Sequence, residues 1–330
     1  MTKVDVVVKE LSKTLRKDLI TSELMLHLSG KDINCTVVNT LRRLSMESIP
    51  TYAFDPSMIE ISFNDTIYDN DEMREYISQI CIPNLDVSVV YLPDRYWKDV
   101  DFTDPEYEPY PEEKKKIELI IQSQNDTTSL MNVTTNDVKY VEDMKENPMK
   151  FNRKYPSLIV DLRPNQAFRC IARASLAVGE RDDRWSAVSN CFFEEEDETQ
   201  YKLTVRSLGQ FSEYDIMIKT CMIMDKRLEN LKVTVSNESK KHNLMNEKRI
   251  SIILDGEDHT IGNVLARTIQ DRPEVIYAAY SKPDHHKKSV VIKVTSTKNA
   301  VDSIFEAIKH LQILFTTIEK DLRRLGSTKK

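Results

Sequence analysis

Apolar residues recur along this chain with two different periods, and the period changes from one segment to the next. Alternation and short apolar runs are typical of β-strands, whereas spacings of three and four are typical of a helix with one buried face. One predicted helix is 36–47, which Thr36 caps and which ends before Pro50. A second is 212–231, which Ser212 opens. The strands predicted in this part of the chain are 4–10, 19–29, 52–63, 157–163, 167–174 and 201–207.

The C-terminal part carries the longest apolar stripe. Residues 298–325 place apolar side chains at helical spacing, and a helix of that length extends about 40 Å at 1.5 Å per residue. Strands predicted at 250–256, 275–280 and 289–295, with a shorter helix capped by Thr260, are too small to cover it. The stripe therefore requires another apolar surface, either a second copy of the chain in a coiled-coil homodimer or a helix of the same chain.

Polar and acidic segments separate these predicted elements. Residues 93–113 are acidic and rich in proline, which predicts an irregular loop, either solvated or used to dock a partner. Residues 123–136 are predicted to be a second loop, and the acidic run 194–198 a break between strands. Residues 236–248 are polar and charged, which predicts a flexible linker before the C-terminal part.

A short repeat relates the two ends of the chain. Residues 35–43 (CTVVNTLRR) and 259–267 (HTIGNVLAR) share Thr, Asn, Leu and Arg at the same offsets. Each segment follows a predicted strand, and each end of the chain closes with a strand and an amphipathic helix. Two such units can pack around a pseudo-two-fold axis, which would bury the helices at 212–231 and 298–325 against each other.

Composition argues against several classes of protein. The six glycines form neither a G-x-G-x-x-G nor a P-loop pattern, so the common nucleotide cradles are missing. A net charge of −6 is unlike a basic nucleic-acid-binding coat, and no apolar run approaches the ~20 residues of a membrane span. Asp5 and Lys9 stand where a signal peptide would be apolar, so we expect a soluble, intracellular protein.

Metal and cofactor sites are not expected either. The five cysteines include no C-x-x-C pair, as a zinc ribbon or an iron–sulfur cluster would need. His259, His285 and His286 are the candidates for a metal site, but neighbouring side chains on an extended segment point to opposite faces. A metal-dependent enzyme that uses these three histidines therefore remains only an alternative.

The first copy of the repeat resembles a known family. Residues 39–43 (NTLRR) and 47–53 (ESIPTYA) are similar to the N-A-L-R-R…E-I-P-T-x-A signature of the D-like subunits of DNA-dependent RNA polymerases. This family includes the bacterial alpha N-terminal domain, its archaeal D-type counterpart and the third subunit of eukaryotic polymerase II. Other similar segments are 71–72, 80–83, 158–174, 185–188 and 203–231. The chain departs from this family at Ile77-Ser78 (often His-Arg), at Ala187 (usually Pro), and at 93–113, which replaces a cysteine-rich loop or cluster domain.

The second copy resembles the L-like partner of the D-like family, the eleventh subunit of polymerase II. Residues 257–263 (EDHTIGN) are close to its E-D-H-T-L-G-N motif, and 273–275 with 278–285 are similar to its P-x-V…A-G-Y-x-x-P-H run. Both families follow one another in a single chain here. This arrangement resembles the fused subunit of some large cytoplasmic DNA viruses.

The resemblance implies an α+β fold with two alpha-N-terminal-domain-like dimerisation units paired within one chain. The D-like unit would comprise 1–52 and 198–235, and a mostly β insert domain would occupy 53–197. Residues 236–248 would be the linker, and 249–330 the L-like unit.

The resemblance also implies assembly rather than catalysis. The chain would be a platform subunit of a viral RNA polymerase that docks the two largest subunits. Small zinc-binding subunits, like the tenth and twelfth of polymerase II, would be further partners. DNA would be contacted only through the complex, without a membrane, in the virus factory of the host cytoplasm or packaged in the virion. A stand-alone homodimeric scaffold built on the long C-terminal helix is the alternative.

The implied interface residues come from both copies of the repeat and from the C-terminal helix. Arg42 and Arg43 would either lie on a solvated helix face or contact the second-largest subunit, for which a guanidinium is suited. Trp185 would be a core residue or a partner anchor, and His259 a structural hydrogen-bonding residue. The full set is Asn39, Leu41, Arg42, Arg43, Trp185, His259, Thr260, Asn263, Ile304, Ile308, Leu311, Phe315 and Ile318.

Overall fold

The structure is a computed structural model that describes residues 4–16, 21–148, 150–151, 154–242, 247–284 and 287–327. Over these residues the chain forms an α+β fold. Its helices are α1 (Cys35–Glu47), α2 (Asn70–Ser78), α3 (Glu213–Lys241), α4 (His259–Gln270) and α5 (Ala300–Ser327). Its strands are β1 (Val7–Arg16), β2 (Thr21–Ser29), β3 (Thr51–Asn64), β4 (Ile117–Gln124), β5 (Met131–Thr134), β6 (Val138–Glu142), β7 (Lys145–Glu146), β8 (Leu158–Leu162), β9 (Ala167–Ala177), β10 (Val188–Asp197), β11 (Gln200–Ser207), β12 (Arg249–Asp255), β13 (Val275–Ser281) and β14 (Ser289–Ser296).

The first sheet joins strands that are far apart in sequence. It is antiparallel, in the order β1-β2-β11-β10. Leu24, Leu26 and Leu28 of β2 are all buried, because alternate side chains of a strand point to the same face. Helices α1 and α3 pack against this sheet. The chain thus leaves the sheet after β2 and returns to it at β10.

The second sheet repeats this plan on a smaller scale. Its three antiparallel strands lie in the order β12-β14-β13. Ile250, Ile252 and Leu254 of β12 are buried, and α4 and α5 pack against the sheet. Strand, short helix, strand and long helix therefore occur at both ends of the chain, as the repeat predicts.

The regular elements between α1 and β10 are mostly strands. A five-stranded antiparallel sheet has the order β3-β9-β4-β6-β7, and β5 pairs with β8. Helix α2 packs against β3. Its first turn has a capping box, in which Asp69 accepts from the backbone of Asp71 and Glu72 while Glu72 accepts from the backbone N–H of Asp69.

The structure corrects several boundaries. The acidic run 194–198 is not a break, because β10 continues through Asp197. Part of the predicted loop 123–136 forms strand β5. The predicted linker begins inside a helix, since α3 continues to Lys241, and residues 243–246 of that linker lie outside the described residues. The N-caps of α1 and α4 are Asn34 and Asp258 rather than Thr36 and Thr260.

Candidate functional site: the contact between the two ends of the chain

The long apolar helices from the two ends of the chain cover each other. Helix α3 packs along α5, while α1 packs against α4, so four helices meet between the two outer sheets. The predicted interface residues of α5 are at most 1% exposed: Ile304, Ile308, Leu311, Phe315 and Ile318. The apolar stripe of α5 is therefore buried by its own chain.

Polar side chains connect the two ends around this apolar contact. Gln312 of α5 donates to the Asp225 carboxylate of α3 at 3.0 Å and accepts a hydrogen bond from Lys232. His310 of α5 lies 3.1 Å from Asp32, which precedes α1. These contacts place α5 in one position along α3, since each needs a particular pair of residues to face each other.

A group of charges, buried at one end and partly exposed at the other, lies where α1, α3 and α4 meet. Arg227 of α3 is 11% exposed and makes an ion pair with Glu257, which is 12% exposed. Arg227 also lies 3.8 Å from Asp258, whose other oxygen lies 3.7 Å from Arg43 of α1. Arg43 continues the chain of charges to Glu47, 3.1 Å away. Charges from both ends of the chain thus form one network.

Burial and pairing act in opposite directions on these carboxylates. Burial raises the pKa of Glu257 above its usual value, and the nearby Arg227 guanidinium offsets only part of that rise. Burial also disfavours ionisation of Asp258. However, Arg227, the backbone N–H of Thr260 and Arg43 outweigh this burial and lower the pKa of Asp258. Of the two neighbouring carboxyl groups, Asp258 is therefore ionised more readily than Glu257.

The motif at 257–263 is explained by this geometry. Glu257 pairs with Arg227, and Asp258 caps α4 by accepting from the backbone N–H of Thr260 at 2.9 Å. Thr260 itself is buried, whereas Asn263 is exposed. The ring of His259 lies edge-on to Tyr280 with the centroids 5.8 Å apart. The structure therefore shows His259 in an exposed ring contact with Tyr280, and its predicted hydrogen-bonding role stays a prediction.

Comparison with known proteins identifies the family. A protein of Acanthamoeba polyphaga mimivirus, named as a DNA directed RNA polymerase subunit, is 30% identical over 324 residues, which cover 92% of this chain and 89% of the relative. This chain belongs to the same family of RNA polymerase subunits. Residues 249–321 of the polymerase subunit also match the RNA polymerase Rpb3/Rpb11 dimerisation domain.

Smaller relatives match part of the polymerase subunit. Rpo11 of Sulfurisphaera tokodaii is 27% identical over 84 residues, which are 26% of this chain and 89% of the relative. Rpo11 of Saccharolobus islandicus is 25% identical over 79 residues, 23% of this chain and 86% of the relative. Together with the viral relative, these matches confirm the resemblance to a viral polymerase subunit of the D-like and L-like kind.

The interface residues predicted on α1 have different surroundings. Leu41 is fully buried. Asn39 accepts a hydrogen bond from Arg42 Nε at 3.0 Å, so both side chains are engaged along their own helix and remain half-buried. Arg43 instead reaches Asp258, at the other end of the chain. Both arginines hydrogen-bond within α1, Arg42 to Asn39 and Met46 and Arg43 to Glu47, and Arg43 in addition makes the ion pair across the contact.

Trp185 is a core residue of the polymerase subunit. It is 1% exposed, and its indole N–H donates to the carbonyl of Ser175 at 2.9 Å. In the isolated chain Trp185 therefore lies in the core, and its predicted place in a subunit interface stays a prediction. Arg181 lies over the Trp185 ring and over Phe102, with its guanidinium carbon 5.4 and 4.3 Å from the two ring centroids.

The acidic segment 93–113 folds back onto this aromatic group. Arg181 donates to the carbonyls of Trp97 and of Val100, the second at 2.9 Å. Trp97 and Phe102 are buried, while most of the acidic side chains of the segment are exposed. The segment therefore has a core of its own and still presents negative charge to solvent.

The described residues do not assemble a metal site or a membrane span. Over these ranges, no group of three or more His, Cys, Asp or Glu side chains is placed to hold a metal ion. His285 and His286 lie outside the described residues. No helix in the part of the chain that the structure covers is both long enough and apolar enough to cross a bilayer.

Burial raises the pKa of Cys81 and Cys170 to about 12, so these thiols stay protonated at neutral pH.

Gly262 of α4 allows a close contact that a larger residue would disrupt. A Cβ atom built on Gly262 would lie 2.7 Å from Cδ2 of the Tyr280 ring. We expect Gly262→Ala to lower the free energy of unfolding by about 1–3 kcal/mol, as overpacked cores typically do. Urea denaturation measures this loss. Ala266→Gly, on α4 like Gly262→Ala, is the variant for comparison. Gly209→Ala is a poor control because Gly209 has a φ of +97°. A gain of about 1 kcal/mol in Gly262→Ala, which helix propensity alone would give, would contradict the close contact.

Proposed function

We propose that this chain is a non-catalytic assembly platform of a viral DNA-directed RNA polymerase, in which two units pair within one chain and dock the two largest subunits. The observation that supports it most directly is the mutual burial of α3 and α5 by opposite ends of one chain. A viral polymerase subunit similar over 92% of the chain supports the same role.

In this proposal the D-like unit consists of 1–52 and 198–235, and the L-like unit of 249–330. The mostly β residues 53–197 form an insert within the first unit. The linker is shorter than the sequence predicts, because α3 extends to Lys241. Joining the two units also favours their pairing, since association within one chain avoids most of the loss of translational and rotational freedom.

The partners in this proposal are the two largest polymerase subunits and small zinc-binding subunits. The chain contacts DNA only through the complex, which acts in the virus factory of the host cytoplasm and is packaged in the virion. Arg42 of α1 is the proposed contact with the second-largest subunit, because a guanidinium forms bidentate bonds with carboxylates and backbone carbonyls. The exposed acids of 93–113 are proposed to face a basic partner.

Co-purification from cells that produce the other polymerase subunits tests this function. The tagged chain should recover both of the largest subunits, and Arg42→Glu should recover several-fold less of the second-largest subunit with an unchanged melting temperature. Arg324→Glu is the matched control, because Arg324 is 71% exposed at the end of α5. The isolated wild-type chain should sediment as a 38.3 kDa monomer. A stable homodimer without the large subunits would favour the scaffold alternative instead.

A further inference from the structure

We infer that the buried Arg227–Glu257 ion pair determines which halves of the chain pair with each other, so that a first half accepts a second half and rejects another first half. This inference rests on the proposed pairing of two similar units. Here the first half means residues 4–242, and the second half residues 247–327. In the proposed pairing a pseudo-two-fold axis relates the two halves, and the contacts on its two sides differ.

The partners of the ion pair have counterparts at equivalent positions in the two halves. Arg227 is the fifteenth residue of α3, and Leu314 is the fifteenth residue of α5. Glu257 stands two residues before the start of α4, and Ile33 stands two residues before the start of α1. With the long helices matched from their first residues and the short helices matched by the repeat, the proposed two-fold operation exchanges Arg227 with Leu314 and Glu257 with Ile33.

The two equivalent contacts have opposite chemistry. On one side, Arg227 and Glu257 form an ion pair in which both side chains are nearly buried. On the other side, Ile33 and Leu314 are each 1% exposed and line the same cleft between the halves, together with Leu311. At these two pairs of positions the internal pairing thus matches charge with charge and apolar with apolar, and the His310–Asp32 contact lies beside the apolar pair.

Pairing of like halves would break both matches. Two first halves would place Arg227 of each copy against Ile33 of the other, and two second halves would place Glu257 against Leu314. Each of these dimers would contain two such contacts, and each contact would bury one charged side chain without an opposite charge. This is costly because an unpaired ion loses its hydration without compensation. Selectivity therefore comes from the mismatch in the wrong pairings as well as from attraction in the right one.

The helix caps carry the same asymmetry. Arg43 and Arg267 are both the ninth residue of their helices, and Asn34 and Asp258 are both N-caps. Asp258 lies 3.7 Å from Arg43 across the contact. On the equivalent side the cap is the neutral Asn34, and Arg267 pairs with Asp271 at the end of its own helix at 3.3 Å. At this pair of equivalent positions, one side of the axis therefore uses charges across the contact and the other does not.

Two full-length variants with opposite charge changes test the inference. Arg227→Glu alone and Glu257→Arg alone each place like charges together inside one chain. When the two variants are unfolded, mixed and refolded, exchange of halves restores a matched ion pair in both contacts. Native mass spectrometry, with one variant carrying a mass tag, should then show a mixed dimer with one copy of each as the main species. A chain that carries both changes, R227E and E257R, should remain a monomer.

The outcomes separate this inference from the proposed function. A wild-type dimer would overturn the internal pairing itself. A monomeric wild type, with a mixture that shows only the species present in the separate samples, would overturn the selecting role alone.

A second double variant, with apolar residues in place of the charges, tests the inference even when the charge-reversed variants do not fold. Arg227→Leu with Glu257→Ile makes both sides of the axis apolar, and such replacements commonly preserve stability. We expect this chain to keep its melting temperature and, after unfolding and refolding at high protein concentration, to give a larger fraction of dimer than the wild type, because pairing of like halves is no longer penalised. A dimer fraction equal to that of the wild type would overturn the inference.

Discussion

Phe315→Ala should lower the free energy of unfolding by about 3–5 kcal/mol, the usual cost of truncating a buried phenylalanine. Phe315 is 0% exposed and lies on the buried face of α5, midway along the helix that packs against α3. Its removal leaves a cavity between elements from opposite ends of the chain, so the loss reflects the contact on which the proposed platform depends. Urea denaturation followed by circular dichroism measures it.

Phe305→Ala on the same helix is the matched control. Phe305 is half-buried, so the same truncation removes less buried surface and should cost well under half as much. Equal losses for Phe305 and Phe315 would mean that the two sides of α5 are equally covered. That result would contradict the burial of one stripe by α3 and its neighbours.

The periodic segments can be predicted from sequence because their apolar faces are continuous. The pattern that predicts 212–231 continues through Val235 and Ser239, which are both buried, so the polar composition of 236–241 is a misleading linker signal. Strand β10 is a second case in which composition is misleading. Its acidic end has the composition of a break, yet β10 is an edge strand whose charged side chains point to solvent, where they are tolerated.

Only part of the candidate site can be identified from the sequence. The motif at 257–258 marks Glu257 and Asp258, but nothing near Arg227 identifies it as their partner, because it lies 30 residues away within an amphipathic helix. The repeat does contain a signal, since Arg227 stands where the second copy has Leu314. A charge at a position that is apolar in the other copy points to a contact specific to one side.

The fold of 93–113 cannot be derived from local patterns. Its aromatic residues are irregularly spaced, and the side chain that orders them, Arg181, is 81 residues from Val100 along the chain. Helix α2 is not evident in the sequence because its nine residues contain only two large apolar side chains that become buried, Met73 and Ile77. Short elements of this kind are stabilised by tertiary packing more than by their own pattern.

Arg227→Met should lower the free energy of unfolding at pH 7 by about 3–5 kcal/mol, because it leaves Glu257 buried without its main partner. The loss should shrink as the pH falls toward 5. Burial already raises the pKa of Glu257, and removing Arg227 raises it further. Between the unfolded and folded pKa values, the folded state then binds more protons than the unfolded state, so stability falls as the pH rises through that window.

The neighbouring charges define the controls for this pH dependence. Removing Arg227 also takes away the strongest influence that lowers the pKa of Asp258, which keeps the backbone N–H of Thr260 and Arg43, while Lys288 still offsets part of the charge on Glu257. In Arg227→Met with Glu257→Met, the Glu257 carboxylate is absent, so most of the stability should return and the difference between pH 5 and pH 7 should be much smaller than in Arg227→Met, with Asp258 accounting for the remainder. Denaturation curves of both variants at the two pH values measure this. The same loss at both pH values in Arg227→Met would show that the arginine acts through its packing alone, and not by neutralising a buried carboxylate between the two ends of the chain.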